Sequence, residues 1–193
     1  MYDTRNNSGR LAESNLFRYV PIIQCAAFNG SLDVLEWIKN HTTKRYRVVW
    51  PRLQLCYAAA KGGKLKAVQW LRSQDGGNYH WDESTCSAAA YGGHLELLIW
   101  AKKNGCRWDQ RTCEYAAKNG HLEVLKWARE NNCPWDTSTC HGAADNGHLE
   151  VLKWAHENGC PWEEETCAHA AYSGHFEILK WLRQNDCPWD EET

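Results

Sequence analysis

The sequence lacks the motifs that usually mark an enzyme, a metal site or a membrane protein. It has no Cys-x-x-Cys pair, no glycine-rich phosphate loop, no nucleophile elbow and no zinc-protease motif, all of which hold reactive groups at fixed spacings. No apolar run approaches the ~18 residues of a membrane-spanning helix, and residues 1–15 contain no apolar stretch typical of a secretory signal. We therefore expect no catalytic residue, no cofactor and no membrane partner.

A strong net charge is also missing. The 193 residues carry a formal charge of −2, which gives no global attraction to nucleic acid or anionic lipid. The charge is uneven, because residues 1–96 contain 12 Lys and Arg against 8 Asp and Glu, whereas residues 97–193 contain 10 against 16. Four basic residues fall in one connection: Lys44, Arg45, Arg47 and Arg52.

This basic 44–52 loop supports an alternative hypothesis, that of a nucleic-acid-associated protein. Four charges without a recognised motif are weak evidence for such binding. We therefore expect a protein partner and no nucleic acid, and keep the loop as the alternative.

Ten cysteines are present, but their spacing is not that of a metal site. Apart from Cys25 they form two columns: Cys56, Cys86, Cys113, Cys140 and Cys167, and Cys106, Cys133, Cys160 and Cys187. Neighbours in a column are a full repeat apart, whereas zinc ligands pair two to four residues apart. With no sign of export, we interpret the cysteines as free, metal-free thiols, mostly small buried residues, in a reducing cytoplasm or nucleus.

What the sequence does contain is a repeat. Ala-Ala pairs begin at Ala26, Ala59, Ala89, Ala116, Ala143 and Ala170, at intervals of 33, 30, 27, 27 and 27 residues. A glycine lies four residues after the start of each pair, and a tryptophan lies seven residues after that glycine. The other six of the twelve tryptophans form a second column, eight residues after the first in the last four repeats. Six copies of one supersecondary structure are indicated.

Each repeat is predicted to form two short helices. In residues 112–136, one face of the first helix carries Cys113, Ala116 and Ala117. The second helix has a wide apolar arc formed by Leu122, Val124, Leu125, Trp127 and Ala128. Gly120 separates the two helices, where a positive φ is expected. We expect Trp127 to be buried, so that its replacement by alanine costs about 3–5 kcal/mol.

Neither helix covers its own apolar surface, so the repeats must stack. We predict an all-α solenoid of stacked helix-turn-helix repeats over residues 22–193, preceded by an N-terminal lead-in, 1–21, in which Leu11–Tyr19 form a half-repeat cap. The last repeat shows the buried pattern without polar substitutions, at Phe176, Ile178, Leu179, Trp181 and Leu182. We expect end-to-end association, further repeats beyond Thr193 or a partner to cover this end.

The segments GHLEVLKWARENNCPWD (120–136) and GHLEVLKWAHENGCPWE (147–163) resemble the core of the ankyrin repeat, in a short variety of about 27 residues. The resemblance covers roughly residues 22–193 and implies an ankyrin-like solenoid. The Thr-Pro-Leu-His opening of the family is absent, and the missing residues fall where the family has its β-turn finger. Most fingers are therefore expected to be truncated, except at His41–Leu53.

The resemblance also implies a function, that of a non-enzymatic protein–protein interaction scaffold or adaptor. Ankyrin arrays bind partners on the concave face of their first helices and on the adjoining loops. In this chain the outward residues of the first helices vary between repeats, and tyrosine is enriched at interfaces. The expected partner-binding residues are Phe28, Tyr57, Lys61, Tyr91, Glu114, Lys118, His141, Asp145, His169 and Tyr172. Simple drift of solvent-exposed positions is the alternative.

Four histidines follow repeat glycines, namely His94, His121, His148 and His175. A catalytic role would require one distinctive histidine, whereas these four are equivalent. We expect their ring nitrogens to tether the turns between the helices.

Overall fold

A computed structural model describes residues 20–41, 54–74, 79 and 81–189. These ranges contain twelve helices and no strand. The chain divides into two compact bodies, which are treated separately: an N-terminal body, Met1–Trp81, and a C-terminal body, Asp82–Thr193.

The N-terminal body contains the described parts of two helix pairs. The first pair consists of α1, described over 20–29, and α2, Leu32–His41. The second consists of α3, Leu55–Lys61, and α4, Leu65–Ser73. Gly30 and Gly63 separate the helices of each pair and have positive φ angles of 72° and 71°.

The C-terminal body contains four pairs of nine-residue helices. In chain order they are α5, Glu83–Tyr91; α6, Leu95–Lys103; α7, Gln110–Lys118; α8, Leu122–Glu130; α9, Thr137–Asp145; α10, Leu149–Glu157; α11, Glu164–Tyr172; and α12, Phe176–Gln184. The first helix of each pair packs on the first helix of the next, and each second helix packs on its own first helix. The prediction of stacked helix pairs is confirmed.

In the C-terminal body the N-cap of each first helix is an acidic residue that directly follows a second-column tryptophan. Asp82, Asp109 and Asp136 accept a hydrogen bond at the side chain from the backbone N–H two residues later. Glu163 forms a capping box with Thr166 instead. These caps satisfy N–H groups that have no partner within the helix, so the Trp-Asp and Trp-Glu steps fix where each repeat starts.

Small residues fill the contact between first helices. Cys113, Ala116 and Ala117 of α7 are fully buried, as are their counterparts in α9, Cys140, Ala143 and Ala144. Leu125 and Ala128 of α8 complete the core of this repeat. Short side chains allow helix axes to approach to the close end of the usual ~8–10 Å range.

The histidine that follows each repeat glycine connects two repeats. Nε2 of His121 lies 3.1 Å from the carbonyl oxygen of Tyr91, and Nε2 of His175 lies 3.1 Å from that of Asp145. Because a carbonyl only accepts, both rings donate from Nε2. A Cβ added at Gly120 would lie 2.8 Å from the His148 ring. The histidines therefore tether a turn, as predicted, and they tether it to the preceding repeat.

The tryptophans are less buried than the sequence pattern indicated. Trp127 is only half-buried, and so are Trp154 and Trp181, which corrects the expectation of a buried Trp127. Each lies edge-on against the second-column tryptophan of the preceding repeat, with ring centroids 5.7–6.0 Å apart in the pairs Trp108–Trp127, Trp135–Trp154 and Trp162–Trp181. The apolar arc predicted for the second helix was too wide, because the indole rings of neighbouring repeats pair with one another at the surface.

A cation or an imidazole covers the other face of these second-column rings. Lys102 lies over Trp108 and Arg129 over Trp135, each 4.0 Å from the ring centroid, and His156 stacks on Trp162 at 3.6 Å. Cation–π contacts of this kind are worth about 0.5–1 kcal/mol at exposed sites. We call this alternating set of rings and cations the tryptophan ladder.

Several predictions concern residues outside the described ranges: the Leu11–Tyr19 cap, the 44–52 loop and almost all of the His41–Leu53 finger. The assignment of 1–21 as lead-in and 22–193 as one array stays a prediction. At the other end, Ile178 and Leu182 are buried, whereas the side chain of Phe176 is 69% exposed. Coverage of this end by another copy, further repeats or a partner also stays a prediction.

We predict that Gly120→Asn destabilises the protein more than Gly159→Asn. Both glycines have positive φ angles, 73° and 81°, but only Gly120 has a ring against it, since nothing lies within 4 Å of a Cβ at Gly159. Asn132, in the position equivalent to Gly159, already adopts a φ of 63°. Urea denaturation should show a near-neutral Gly159→Asn and a loss of about 1–3 kcal/mol for Gly120→Asn. Equal losses would contradict the role of the histidine contact.

We predict that Leu125→Ala costs more stability than Trp127→Ala, although tryptophan is the larger side chain. Leu125 is fully buried, and such a truncation costs about 2–5 kcal/mol. Trp127 is half-buried, so we expect about 2 kcal/mol, below the range for a fully buried tryptophan. The two midpoints in chemical denaturation decide the order, and the reverse order would place Trp127 in the core.

Candidate functional site

The surface of interest is formed by the outward side chains of the first helices, and we call it the first-helix face in each body. In the N-terminal body, Phe28, Tyr57 and Lys61 line one cavity of about 390 Å³ between α1 and α3. Gln24 and Gln54 complete its polar part. Three predicted binding residues are thus brought together around an apolar groove with a basic residue at one side.

In the C-terminal body the repeats place four outward positions in register. One of these positions is occupied by Tyr115, Gly142 and His169, which are partly exposed, whereas its counterpart in α5, Ala88, is buried. Tyr115 contacts the predicted binding residue Tyr91 edge-to-face, with centroids 6.0 Å apart. Gly142 is unusual at this position, because a glycine inside a helix lowers the stability of the fold by roughly 0.5–1 kcal/mol relative to alanine.

A cavity of about 210 Å³ lies beside Gly142, and we call it the notch. Its lining combines five predicted binding residues with two others: Glu114, Lys118, His141, Asp145 and His169, together with Ser138 and Gly142. The last two were not predicted. The signal for Gly142 was present in the sequence, as the only glycine at its register position.

Two imidazole rings and their carboxylates dominate the notch. The rings of His141 and His169 have centroids 5.2 Å apart. Nε2 of His141 lies 3.6 Å from Oε1 of Glu163, and Nδ1 of His169 lies 3.6 Å from Oδ1 of Asp145. These distances exceed those of good hydrogen bonds. Each ring therefore has a carboxylate beside it but forms no short hydrogen bond with it.

Burial and neighbouring charge shift the titration of these groups. Burial, with the nearby His169, lowers the pKa of His141 below its usual value. Burial, with the neighbouring Asp136, raises the pKa of Glu114. A hydrogen bond from Ser173 Oγ, at 2.7 Å, lowers the pKa of Asp145. At neutral pH the His141 ring is therefore uncharged and Asp145 is ionised.

A second depression lies beside the notch at the last described first helix. It has a volume of about 290 Å³ and is lined by Glu165, Ala168, His169 and Tyr172. The Tyr172 side chain is 94% exposed. His169 borders both depressions, so the predicted binding residues of α7, α9 and α11 form one continuous surface.

Nine of the ten thiols are buried, whereas Cys25 is exposed. In the C-terminal body the two columns form hydrogen-bonded thiol pairs: Cys86–Cys106, Cys113–Cys133, Cys140–Cys160 and Cys167–Cys187. None of the ten cysteines, all of which lie in the described residues, forms a disulfide. Cys106 donates to the carbonyl oxygen of Asp82 at 3.3 Å. The hydrogen bond with Cys106, together with burial, raises the pKa of Cys86. Burial raises the pKa of Cys187 to about 12. Such thiols stay protonated at neutral pH, whereas nucleophilic and metal-binding cysteines are thiolates.

Side chains that could bind a metal do not converge in the described residues. No group of three or more His, Cys, Asp and Glu side chains in these ranges has the arrangement of a metal site. Likewise, none of the helices described is both long and apolar enough to traverse a membrane.

The comparison with protein families identifies the repeats. The model for ankyrin repeats matches residues 113–192 as three copies. Residues 113–192 are therefore similar to ankyrin repeats. This match covers the pairs α7–α8, α9–α10 and α11–α12 of the C-terminal body, and the resemblance seen in the sequence is confirmed there. A comparison with curated proteins finds no match.

Ankyrin repeats are generally protein–protein interaction modules, and the family is typically a non-enzymatic scaffold. The notch and the neighbouring depression lie on first helices of the matched repeats. The assignment of individual binding residues stays a prediction.

We predict that part of the acid sensitivity of folding comes from His141. Because its pKa is lowered in the folded state, its contribution to stability is full above the unfolded pKa of about 6.5 and is lost as the pH falls through the folded pKa. Glu114, with a raised pKa, contributes in the opposite direction. His141→Gln should therefore flatten the fall in unfolding free energy between about pH 7.5 and pH 5.

His169→Gln is the matched variant for this measurement. It removes the neighbouring imidazole but leaves burial, the larger cause of the His141 shift, in place, so the pH slope should flatten less than in His141→Gln. Urea titrations at each pH give both slopes. A slope unchanged by His141→Gln would show that burial of this ring does not couple folding to protons.

Proposed function

We propose that this protein is a non-enzymatic scaffold or adaptor that binds a protein partner on the first-helix face and the adjoining loops. The ten predicted binding residues are the proposed contact set. The proposed setting is the cytoplasm or nucleus, since the free thiols suit a reducing compartment.

One observation carries this proposal: the repeats keep their core and change their first-helix face. Cys113, Cys140 and Cys167 occupy one core position and are fully buried. One residue further along each helix, the outward position is Glu114, His141 or Ala168. A constant backbone that carries a different side chain in each layer forms an extended, specific binding surface.

Exposed aromatic side chains at the edges of this face favour a protein partner. Tyr91 is 41% exposed, and Tyr172 protrudes almost completely. Tyrosine offers a large contact area for little loss of side-chain entropy and is enriched among residues that dominate binding energy. Mixed acidic, basic and imidazole groups between them supply polar contacts, which set specificity more than affinity.

Affinity purification with mass spectrometry tests the proposal, comparing wild type with the double variant Tyr91→Ala, Tyr172→Ala. We expect the variant to lose the partners that wild type retains at high salt, because truncation of buried interface aromatics typically costs about 2 kcal/mol or more. Thermal melting of both proteins checks that the fold is kept.

Trp37→Ala is the control, since Trp37 is an exposed aromatic side chain on the second helix α2, away from the first-helix face. It should keep the partners. Partners that are lost on nuclease treatment or at raised salt would favour the nucleic-acid alternative. Equal retention by all three proteins would contradict binding on the first-helix face.

A further inference from the structure

The groove between the first helices of the N-terminal body is lined mainly by apolar side chains, and we call it the α1–α3 groove. Its volume is about 390 Å³, and ligand pockets typically begin at about 300 Å³. Its lining includes the rings of Phe28 and Tyr57 and the small side chains of Cys25 and Ala58. The Phe28 side chain is 43% exposed, so much of this apolar surface is open to a partner.

Backbone contact holds the two sides of the α1–α3 groove at a fixed separation. Gly62, the C-cap of α3, lies so close to α1 that an added Cβ would be 1.9 Å from the carbonyl oxygen of Phe28. The side chain of Lys64 packs closely against Gly30, the glycine that follows α1. Packed elements resist deformation. The groove therefore exists before a partner binds, which lowers the entropic cost of binding.

The electrostatic environment of the groove is positive. Lys61 lines it and is the one charged side chain in the described residues of α1 and α3. The sequence of the N-terminal body contains 12 Lys and Arg against 5 Asp and Glu. A positive potential attracts acidic groups and speeds their encounter with the protein. The groove is therefore complementary to a negative charge that lies beside an apolar group.

The first helices of the C-terminal body differ in this respect. Each of them carries at least one carboxylate, namely Glu83 in α5, Glu114 in α7, Asp145 in α9, and Glu164 and Glu165 in α11. Like charges that face each other across an interface are unfavourable. An acidic segment of a partner is therefore favoured on α1 and α3 over the remaining first helices described.

We propose that the α1–α3 groove binds an aromatic side chain of the protein partner that lies next to a carboxylate, as in a Phe-Glu or Phe-Asp step. This inference rests on the proposed function. An aromatic ring in the groove covers the exposed part of Phe28 and packs beside Tyr57, since aromatic pairs favour edge or offset contacts at about 4.5–7 Å. The adjacent carboxylate pairs with the ammonium of Lys61. A basic residue in its place is disfavoured by the positive charge of this body.

Cys25 is the reporter for the test, because it lines the groove and is exposed, whereas the other nine cysteines are buried. The full chain is treated with iodoacetamide in the presence of acetyl-Phe-Glu-amide, and mass spectrometry follows the rate of alkylation of Cys25. Comparison peptides carry Gln or Lys in place of Glu, or Gly in place of Phe. We expect saturable protection by Phe-Glu, weaker protection by Phe-Gln, the least by Phe-Lys and none by Gly-Glu. Protection by Gly-Glu equal to that by Phe-Glu, or no saturable protection, would overturn the proposal.

A short single-stranded oligothymidylate is the probe for the other acidic class of partner, because it also presents rings beside negative charges. We expect it to leave the alkylation rate of Cys25 unchanged. Protection by the oligonucleotide at lower concentration than by Phe-Glu would reject the proposal in favour of the nucleic-acid alternative.

Two lysine variants test the role of the charge. Lys61→Gln removes the ammonium group that lines the groove, and Lys66→Gln removes an exposed one from the second helix α4, so both change the net charge equally. Lys61→Gln should weaken Phe-Glu binding about two- to fivefold, the usual effect of losing a partly exposed ion pair, and leave Phe-Gln binding unchanged. Lys66→Gln should bind both peptides like wild type. Equal losses in the two variants, or for the two peptides, would contradict the proposal.

The same two variants separate this inference from the proposed function. If a partner needs Tyr91 and Tyr172 but binds Lys61→Gln and Lys66→Gln equally, the first-helix face binds protein and the role of the α1–α3 groove is wrong. If Phe-Glu protects Cys25 while the tyrosine double variant keeps every partner, the groove is a genuine site and the binding face proposed for the C-terminal body is wrong.

Discussion

The close packing of small residues between successive first helices is the constraint on which the rest of the C-terminal body depends. Cys113, Ala116 and Ala117 have no exposed surface, and their size sets how near α7 lies to its neighbours. This spacing brings the rings of His121, His148 and His175 onto the glycine of the preceding repeat. It also brings the outward side chains of adjacent helices within reach of one another, as the His141 and His169 rings show.

Two surfaces of the repeat are used differently. Around the second helices the tryptophan ladder repeats almost unchanged, with a ring pair and a cation or imidazole in each layer. Identical contacts in every layer stabilise stacking but cannot distinguish one layer from another. On the first-helix face the outward residues differ from layer to layer. The variable outward side chains therefore lie on the first helices, away from the repeated ring contacts of the tryptophan ladder.

Much of this fold could be predicted because the same residues recur in each repeat and indicate the same local structure. The positive φ at Gly120 and the histidine tether follow from residues that recur at a fixed spacing. The exposure of Trp127 could not be predicted in the same way, because hydrophobic periodicity marks which side of a helix is apolar. It does not show whether a neighbouring repeat covers that side or only touches its edge.

By itself, the sequence determined the helix pairs, their order and the set of outward positions, since all three follow from local spacing and residue type. Only the tertiary structure decided which outward residues meet. Glu114, His141 and His169 are separated by 27 and 28 residues in the chain and line one notch, because stacking places one helix beside the next. The shifted pKa of His141 also belongs to the tertiary structure, since it arises from burial and from a second imidazole one repeat away.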